Sequence, residues 1–269
     1  MWGKPNEFYA ILRCTSLKYA KELLKNGSIK FNKAENWVKD EKINGKGRGD
    51  SLEGVFAACD VLDIKNVINY YNQYSDVYGE TINRLTYFRR NRTMKLPCYC
   101  FFLLKQELFK QPEKIGKQKI FATIPGSYFK DFANHVSENE LLNLKEEDRP
   151  ALVVISDMEK FINMIIKKLM SLGLKESEII FKNIEYINKK VPFYCTGESA
   201  MELTIKDKYF SCQSEGRIIV NTNNEFINEY LLNNPIKIGA INEIATMIDE
   251  YFYEGIEVEM TADVYNIIE

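Results

Sequence analysis

Residues 8–31 decide the fold, and they read FYAILRCTSLKYAKELLKNGSIKF. The first seven of these residues are almost all apolar or aromatic, which predicts a buried strand over 8–14. Ser16 can act as the N-cap of a helix over 17–26, which Gly27 would end in the left-handed conformation. Residues 28–31 then predict a short second strand, so this stretch is a strand–helix–strand unit.

Beyond this unit, strands and helices alternate irregularly. Apolar runs predict further strands over 55–59, 97–104, 119–124, 151–156, 179–188, 217–221, 236–239 and 256–259. Amphipathic spacing predicts helices over 157–172 and 242–252, and the polar residues 32–54, with several glycines, predict a long loop. This order of elements favours an α+β fold in a single domain over 1–269.

The composition narrows the chemistry that the chain can perform. It has 269 residues, of which 45% are apolar, 36 are basic, 38 are acidic and a single one, His135, is histidine. These values fit a globular protein and exclude disordered, collagen-like and coiled-coil classes. A Ser-His-Asp triad or a histidine-rich zinc site would need His135, for which the end of a helix is the simpler prediction. We expect chemistry carried by Arg, Glu, Tyr, Ser and Thr, and no metal.

The cysteines and the charges indicate the setting in which the chain works. Six cysteines stand mostly in apolar runs, as reduced thiols do, and no apolar run approaches the roughly 18–20 residues that cross a bilayer. We therefore expect a cytoplasmic protein with no membrane partner.

Residues 84–119 hold 10 basic and 2 acidic side chains, and residues 240–269 hold eight acidic and no basic ones. The acidic stretch could cover a basic surface of the same chain, and the basic stretch could track nucleic acid or form a solvated face.

Arg13 follows a buried strand and precedes Thr15, Ser16 and a predicted helix. A buried arginine needs an anion or access to water, and its planar fork suits a phosphate. The N-terminus of the following helix would add backbone N–H groups and a favourable dipole. The alternative is a structural salt bridge to a carboxylate on another strand.

Two further segments combine carboxylates with turn residues. Asp50 and Glu53 lie in RGDSLEG (48–54), three residues apart, where they could bind a metal, act as acid and base, or pair with Arg13 or Arg48. An Asp-initiated turn with a glycine at positive φ is the alternative. Gln213 and Glu215 lie two apart at the entrance to a strand and leave from the same face. They could hold a ribose hydroxyl and orient an acceptor, or belong to an edge strand with a Glu215–Arg217 pair.

The strand-end Arg13 followed far downstream by Gln-x-Glu resembles the arginine–serine–glutamate class of mono-ADP-ribosyltransferases. Residues 8–27 are also similar to the start of the DNA-targeting ADP-ribosyltransferase toxins, and the RGDSLEG and QSEGR segments resemble small bacterial proteins of phage-defence loci. The resemblance implies a split mixed β-sheet core that grips NAD, with an insertion between about 60 and 190. The nearest candidate for the family's Ser-Thr-Ser strand is Thr196–Ser199.

The resemblance also implies roles for individual residues. Arg13 would hold the NAD phosphates, Glu215 would bind the nicotinamide ribose and stabilise an oxocarbenium-like transition state, and Gln213 would orient the acceptor. We expect Thr15, Ser16, Arg48, Asp50, Glu53 and Tyr209 to complete the NAD-binding site.

The expected function is thus NAD-dependent transfer of ADP-ribose to a protein or nucleic acid. A non-catalytic module that binds a nucleotide, a nucleic acid or a protein is the second hypothesis. A metal-dependent nuclease that uses Asp50 and Glu53 is the third.

Overall fold

The computed structural model describes residues 8–44, 49–63, 76–105, 108–110, 114–126, 128–129, 143–195, 200–249 and 255–264. The α-helices in these ranges are α1 (Leu17–Asn26), α2 (Ala34–Asn44), α3 (Asn91–Met94), α4 (Met158–Ser171) and α5 (Glu225–Asn233). The strands are β1 (Phe8–Ser16), β2 (Ser28–Ile29), β3 (Val55–Asp60), β4 (Val77–Ile82), β5 (Leu85–Arg90), β6 (Cys98–Lys105), β7 (Gly116–Pro125), β8 (Pro150–Ile155), β9 (Ile179–Asn183), β10 (Glu185–Ile187), β11 (Phe193–Tyr194), β12 (Ile205–Asp207), β13 (Glu215–Val220), β14 (Ile236–Lys237), β15 (Ala245–Ile248) and β16 (Gly255–Val264).

A six-stranded sheet forms the centre of the molecule, in the order β15-β8-β1-β6-β13-β9. All of its neighbouring strands pair antiparallel. A second sheet has the order β11-β3-β5-β4, and β14-β2 and β16-β7 form antiparallel pairs. The predicted α+β class is confirmed, but the central sheet is antiparallel rather than mixed. Parallel pairing in the described ranges is confined to β10 and β12, which a long crossover connects.

The two faces of the central sheet pack against different layers. On β6, the side chains of Tyr99, Phe101 and Leu103 belong to one cluster with the buried residues of α1, α4 and α5. The alternate residues Phe102 and Leu104 pack on the opposite face with residues of β7 and β16. This period of two is what a strand buried on both sides requires, and it explains why the run 97–104 is apolar throughout.

Helix α1 begins and ends where the sequence predicts. Gly27 has φ +59°, and its N–H donates to the carbonyl of Leu23 over 2.8 Å. Ser16 has the extended backbone of an N-cap, but its side chain makes no capping bond. The N–H of Leu17 instead donates to the carbonyl of Arg149 over 2.7 Å. The first turn is therefore satisfied by a neighbouring chain segment rather than by a local cap.

The prediction of a long loop over 32–54 is wrong, because helix α2 occupies its first half. Ala34, Trp37 and Val38 stand at i, i+3 and i+4 and pack into one apolar cluster. At the start of the helix, the side chain of Asn32 accepts from Asn36 over 2.6 Å. The apolar stripe is short and lies among polar residues, which is why the composition alone suggested a loop.

Two other predicted elements differ in the structure. The residues of 242–252 that are described contain strand β15, not a helix, because Ala245–Ile248 pairs with the edge of β8. The predicted strand 179–188 is interrupted at Ile184, so that β9 pairs with β13 and β10 pairs with β12.

Acidic residues of the stretch 240–269 form ion pairs with basic residues of the stretch 84–119. In the acidic stretch, Glu259 on β16 pairs with Lys119 on β7 at 2.7 Å, and Glu257 pairs with Lys110. In the basic stretch, Arg89 is buried rather than solvated, and its guanidinium donates to the carbonyls of Ser51 and Glu53. The acidic stretch therefore forms two ion pairs with basic residues of its own chain, whose side chains stay about half exposed or more.

Candidate functional site

A split in the central sheet opens a cavity among the described residues. Pairing between β1 and β6 runs as far as Leu12 opposite Phe102. Beyond that point β1 continues alongside β8 as far as Ser16, while the first residues of β6 stay paired with β13. The two strands therefore part, and side chains from both lie along the opening.

Arg13 bridges this split. Its Nη1 donates to the carbonyl oxygen of Cys100 over 2.8 Å, and its guanidinium lies 5.4 Å from the centre of the Tyr99 ring. Within the described ranges no carboxylate pairs with Arg13. Arg13 thus contacts a carbonyl oxygen and an aromatic ring, and not the carboxylate of another strand that was the alternative prediction. These contacts leave the positive charge of the guanidinium without an anionic partner in this part of the chain.

The cavity has a volume of about 1350 Å³ and reaches both faces of the sheet. By strand alternation Arg13 leaves β1 on the helix-covered face, and Glu215 leaves β13 on the opposite face. The split allows both side chains to line the same space. Polar and aromatic lining residues include Arg13, Thr15, Ser16, Tyr19, Lys30, Lys33, Trp37, Tyr99, Cys100, Lys206, Gln213, Glu215, Arg217 and Lys237.

Glu215 is held between two cations. One carboxylate oxygen accepts from Nε of Arg217, and the other accepts from Nζ of Lys206 over 3.0 Å. The backbone N–H of Glu215 donates to the hydroxyl of Tyr186 over 2.8 Å. Lys206 also donates to Oε1 of Gln213 over 2.7 Å, so one ammonium joins both polar members of the Gln-x-Glu motif.

Arg217 connects this pair to the RGDSLEG segment. Its Nη1 and Nη2 donate to the two carboxylate oxygens of Glu53 over 2.6 and 2.9 Å, which is a bidentate ion pair. Its guanidinium also donates to the carbonyl of Leu203 over 2.8 Å and lies 4.8 Å from the centre of the Trp37 ring. Arg217 and Glu53 are each 1% exposed at the side chain, so water screens this pair little.

These contacts fix the charge states of the cluster. Burial alone would raise the pKa of Glu215, but Arg217 and Lys206 outweigh it and hold that pKa well below the ordinary range. For Glu53, too, burial is opposed by Arg217, and the pKa is lowered. Burial would lower the pKa of Lys206, but Glu215 and Glu53 raise it. At neutral pH Glu215 is therefore held as an anion, with Lys206 and Arg217 beside it as cations.

Asp50 is the exception in the cluster. Its Oδ1 accepts from the N–H of Leu52 over 2.8 Å, whereas its buried Oδ2 has no hydrogen-bond partner in the described part of the chain. Burial, together with the nearby charge of Glu53, raises the pKa of Asp50 to about 6. The bond to Leu52 and the φ of +67° at Gly54 form the Asp-initiated turn that was one of the alternatives for this segment.

The predicted site residues fall into three groups. Arg13, Thr15, Ser16, Gln213 and Glu215 line the cavity together. Asp50 and Glu53 lie behind its wall, where Glu53 reaches the cavity through Arg217. Tyr209 is 57% exposed and is not among the residues that line this cavity, so its place in a binding site stays a prediction. Arg48, His135 and Thr196–Ser199 lie outside the described residues.

Lys206, Trp37 and Cys100 are among the lining residues that were not predicted. A signal was present for Trp37, because a large aromatic residue in a polar stretch is costly to leave in water. Lys206 offered no local signal, since its position beside Glu215 depends on the parallel pairing of β10 with β12. The expected edge strand was also wrong, because β13 lies between β6 and β9.

The donor sets of the described residues do not suggest a metal centre. No group of three or more His, Cys, Asp and Glu side chains in these ranges is arranged to hold an ion. The carboxylate of Glu53 is occupied by Arg217, which leaves the nuclease hypothesis without its pair of open carboxylates. No helix in the same ranges combines the length and apolar character needed to cross a bilayer.

Comparison of the chain with protein-family models, with curated proteins and with solved structures gave no match.

Proposed function

We propose that the chain binds NAD in the cavity and transfers ADP-ribose from it to a macromolecular acceptor. The observation that supports this most is that Arg13, Gln213 and Glu215 line one cavity of about 1350 Å³. This is ample space for a dinucleotide, since pockets for drug-sized ligands are about 300–1,000 Å³. Arg13 and Glu215 come from strands on either side of a split, and Gln213 ends the 3₁₀ helix just before β13, so a ligand can contact all three only within that space.

The charges of the cavity suit the diphosphate and the nicotinamide ribose of NAD. Arg13, with a carbonyl and a ring as its neighbours, can donate to the diphosphate in the planar geometry that phosphates accept. Glu215 is a fixed anion within reach of the same space. In the proposed reaction it would face the ribose carbon at which positive charge develops.

The reaction requires no histidine. The bond between the ribose carbon and the nicotinamide nitrogen breaks, and nicotinamide takes the electron pair and leaves as a neutral molecule without needing a proton. Glu215 stabilises the oxocarbenium-like ribose, which is an interaction stronger in the transition state than in bound NAD. A nucleophilic atom of the acceptor then bonds to the ribose carbon and loses its proton to solvent.

Release of nicotinamide and transfer of label from NAD labelled in its ADP-ribose part test this proposal. Wild-type protein is compared with Glu215→Gln, and candidate protein and nucleic-acid acceptors are supplied. We expect both signals to fall at least about a hundredfold in Glu215→Gln, because a fixed charge aimed at the transition state is removed. A matched control is Glu202→Gln, since Glu202 is equally buried but pairs with Arg90 outside the cavity lining. Absence of cleavage and of any NAD-dependent rise in Tm in the wild type would refute the proposal.

A second function is favoured by one observation: both oxygens of Glu215 are already occupied by Lys206 and Arg217. A carboxylate neutralised in this way fits a structural role, and the cavity would then be a non-catalytic site for an anionic ligand such as a nucleotide or nucleic acid. Besides Lys206 and Arg217, its basic lining residues are Arg13, Lys30, Lys33 and Lys237. Binding that weakens with salt and survives Glu215→Gln, with no release of nicotinamide, would identify this function.

A further inference from the structure

Lys206 connects the two residues of the Gln-x-Glu motif from a strand outside the central sheet. It lies on β12, and its Nζ donates to Gln213 over 2.7 Å and to Glu215 over 3.0 Å. Its ammonium also lies 4.7 Å from the centre of the Phe210 ring. A buried lysine with two polar acceptors and an aromatic face has little freedom to move, because each alternative rotamer would leave its charge desolvated.

These contacts determine how both partners are oriented. An ammonium group can only donate, so it selects the amide rotamer of Gln213 that directs Oε1 towards it and the N–H groups away from it. Lys206 also occupies one oxygen of Glu215, while Arg217 occupies the other, so rotation of the carboxylate would break both bonds. The geometry of the motif is thus imposed by Lys206 rather than by the backbone of β13 alone.

We propose that Lys206 is a positioning residue, which fixes the orientation and the ionised state of Glu215 for cleavage of NAD. This inference rests on the proposed function, because it assigns a role within the same reaction. Lys206 acts through Glu215 and Gln213, so its removal changes the chemical step rather than the affinity for NAD.

The groups around Glu215 determine what a pH profile would report. The titratable side chains that face it or its ion pairs are Arg217, Lys206, Cys98, Cys100, Tyr186, Tyr128, Glu53 and Asp50. Burial raises the pKa of Cys100, Tyr186 and Tyr128, so these groups stay neutral from acid to neutral pH. Glu53 is governed more by Arg217 than by Lys206. Loss of Lys206 therefore acts on the titration of Glu215, which lines the cavity, and also on that of Asp50 behind its wall, whose pKa Lys206 lowers.

The test measures kcat and KM for nicotinamide release as a function of pH in the wild type, Lys206→Met and Lys206→Arg. In Lys206→Met we expect the acid limb of kcat to move up by about 1–3 pH units, because an opposite charge within hydrogen-bond distance lowers a carboxyl pKa by about that amount. We also expect kcat to fall on the order of ten- to a hundredfold from misorientation, with KM for NAD within about twofold of the wild type. Lys206→Arg retains the charge and should keep the acid limb of the wild type with a reduced kcat.

Lys189→Met is the matched control. Lys189 is as buried as Lys206 and donates to the carbonyls of Leu52 and Ile205, but it has no bond to the Gln-x-Glu pair and does not line the cavity. Its loss should lower Tm without moving the acid limb of kcat.

Each outcome decides between the hypotheses. A wild type that does not cleave NAD refutes the proposed function itself. A wild type that cleaves NAD, together with a Lys206→Met variant whose kcat and acid limb are unchanged, refutes only the positioning role. An increase in KM at constant kcat would also refute it, since Lys206 would then bind the ligand directly. If Lys206→Met does not fold, an unchanged kcat in Lys206→Arg overturns the inference and a reduced kcat at unchanged KM supports it.

Discussion

Strand β13 presents two different regions on its two faces. Ile218 and Val220 face the helices and are buried among apolar side chains. Glu215 and Arg217 face the opposite way and are buried among charges. Apolar contacts lose stability in proportion to the atoms removed, whereas an ion pair that loses one partner leaves the other buried without compensation. On the helix-facing side of the strand, substitutions should therefore cost stability in proportion to the apolar atoms removed. On the other side, which lines the cavity, a single substitution can leave a buried charge without its partner.

Arg217→Met should break this comparison with the largest effect. It leaves Glu53 and Glu215 without their shared cation, and we expect the free energy of unfolding at pH 7 to fall by about 3–5 kcal/mol. Chemical denaturation at several pH values measures it. In the wild type the lowered pKa values of both carboxyls contribute stability at neutral pH that is lost as the pH falls below about 4.5. In the variant, burial without Arg217 favours the protonated acids, so the deficit should shrink as the pH falls.

Ile218→Ala is the control from the other face. It should cost about 2–5 kcal/mol by leaving a cavity, and this loss should not depend on pH. A deficit in Arg217→Met that is equally independent of pH would contradict the assignment of its cost to unpaired carboxylates.

Asp50→Asn tests the member of the charged cluster whose Oδ2 has no hydrogen-bond partner in the described part of the chain. The pKa of Asp50 is raised from its ordinary 3.8 to about 6, so the fold prefers the protonated acid. Its contribution is complete below about pH 4 and is lost as the pH rises through 6, because the native state then binds the proton that the unfolded state has released. The stability of the variant relative to the wild type should therefore rise by about 3 kcal/mol between pH 4 and pH 7. A difference that stays constant over this range would show that Asp50 does not titrate there.

Gly216→Ala tests the packing of the apolar face of β13 at the residue next to Glu215. A Cβ at this position would lie 2.7 Å from side-chain carbons of both Phe101 and Leu103. We expect a loss of about 1–3 kcal/mol in thermal or chemical unfolding, as overpacked cores show. The double variant with Leu103→Val should recover part of it, and no recovery would mean that the glycine serves another purpose.

Glu259→Gln should have the smallest effect. Glu259 and Lys119 are paired at 2.7 Å, but both side chains are about half exposed or more. Exposed pairs contribute roughly 0–1 kcal/mol and are screened by salt. We expect a change in Tm of a few degrees at most, which disappears at high ionic strength. A loss as large as that of Arg217→Met would show that charge, rather than burial, distinguishes the two regions.

Local signals predicted much of the fold. The left-handed Gly27, the helix predicted over 157–172 and the apolar run 97–104 each depend on a few neighbouring residues, and each appears where it was expected. Elements whose state depends on distant partners were predicted poorly. Ala245–Ile248 becomes a strand because the edge of β8 is available to pair with it.

Prediction of the site was limited in the same way, because contacts between distant residues leave no local signal. Arg13 and Gln213-x-Glu215 could be singled out from the sequence because a charged side chain beside a buried strand needs an explanation. The bidentate pair between Arg217 and Glu53 could not be, since it joins residues 164 positions apart. Whether Arg13 and Glu215 share a cavity depended on the split between β1 and β6, which leaves no trace in local spacing.

The place of β1 in the centre of the sheet has a consequence for the time course of folding. Its two neighbours are β6 and β8, and β8 ends about 140 residues later in the chain. At about 5–20 residues per second, a ribosome takes on the order of ten seconds to complete that distance. Both edges of this apolar strand lack their final partners until β6 is synthesised, and the edge that pairs with β8 lacks its partner for the whole interval, which is a state prone to aggregation. We therefore expect that expression with chaperones that bind nascent apolar segments will raise the yield of soluble protein.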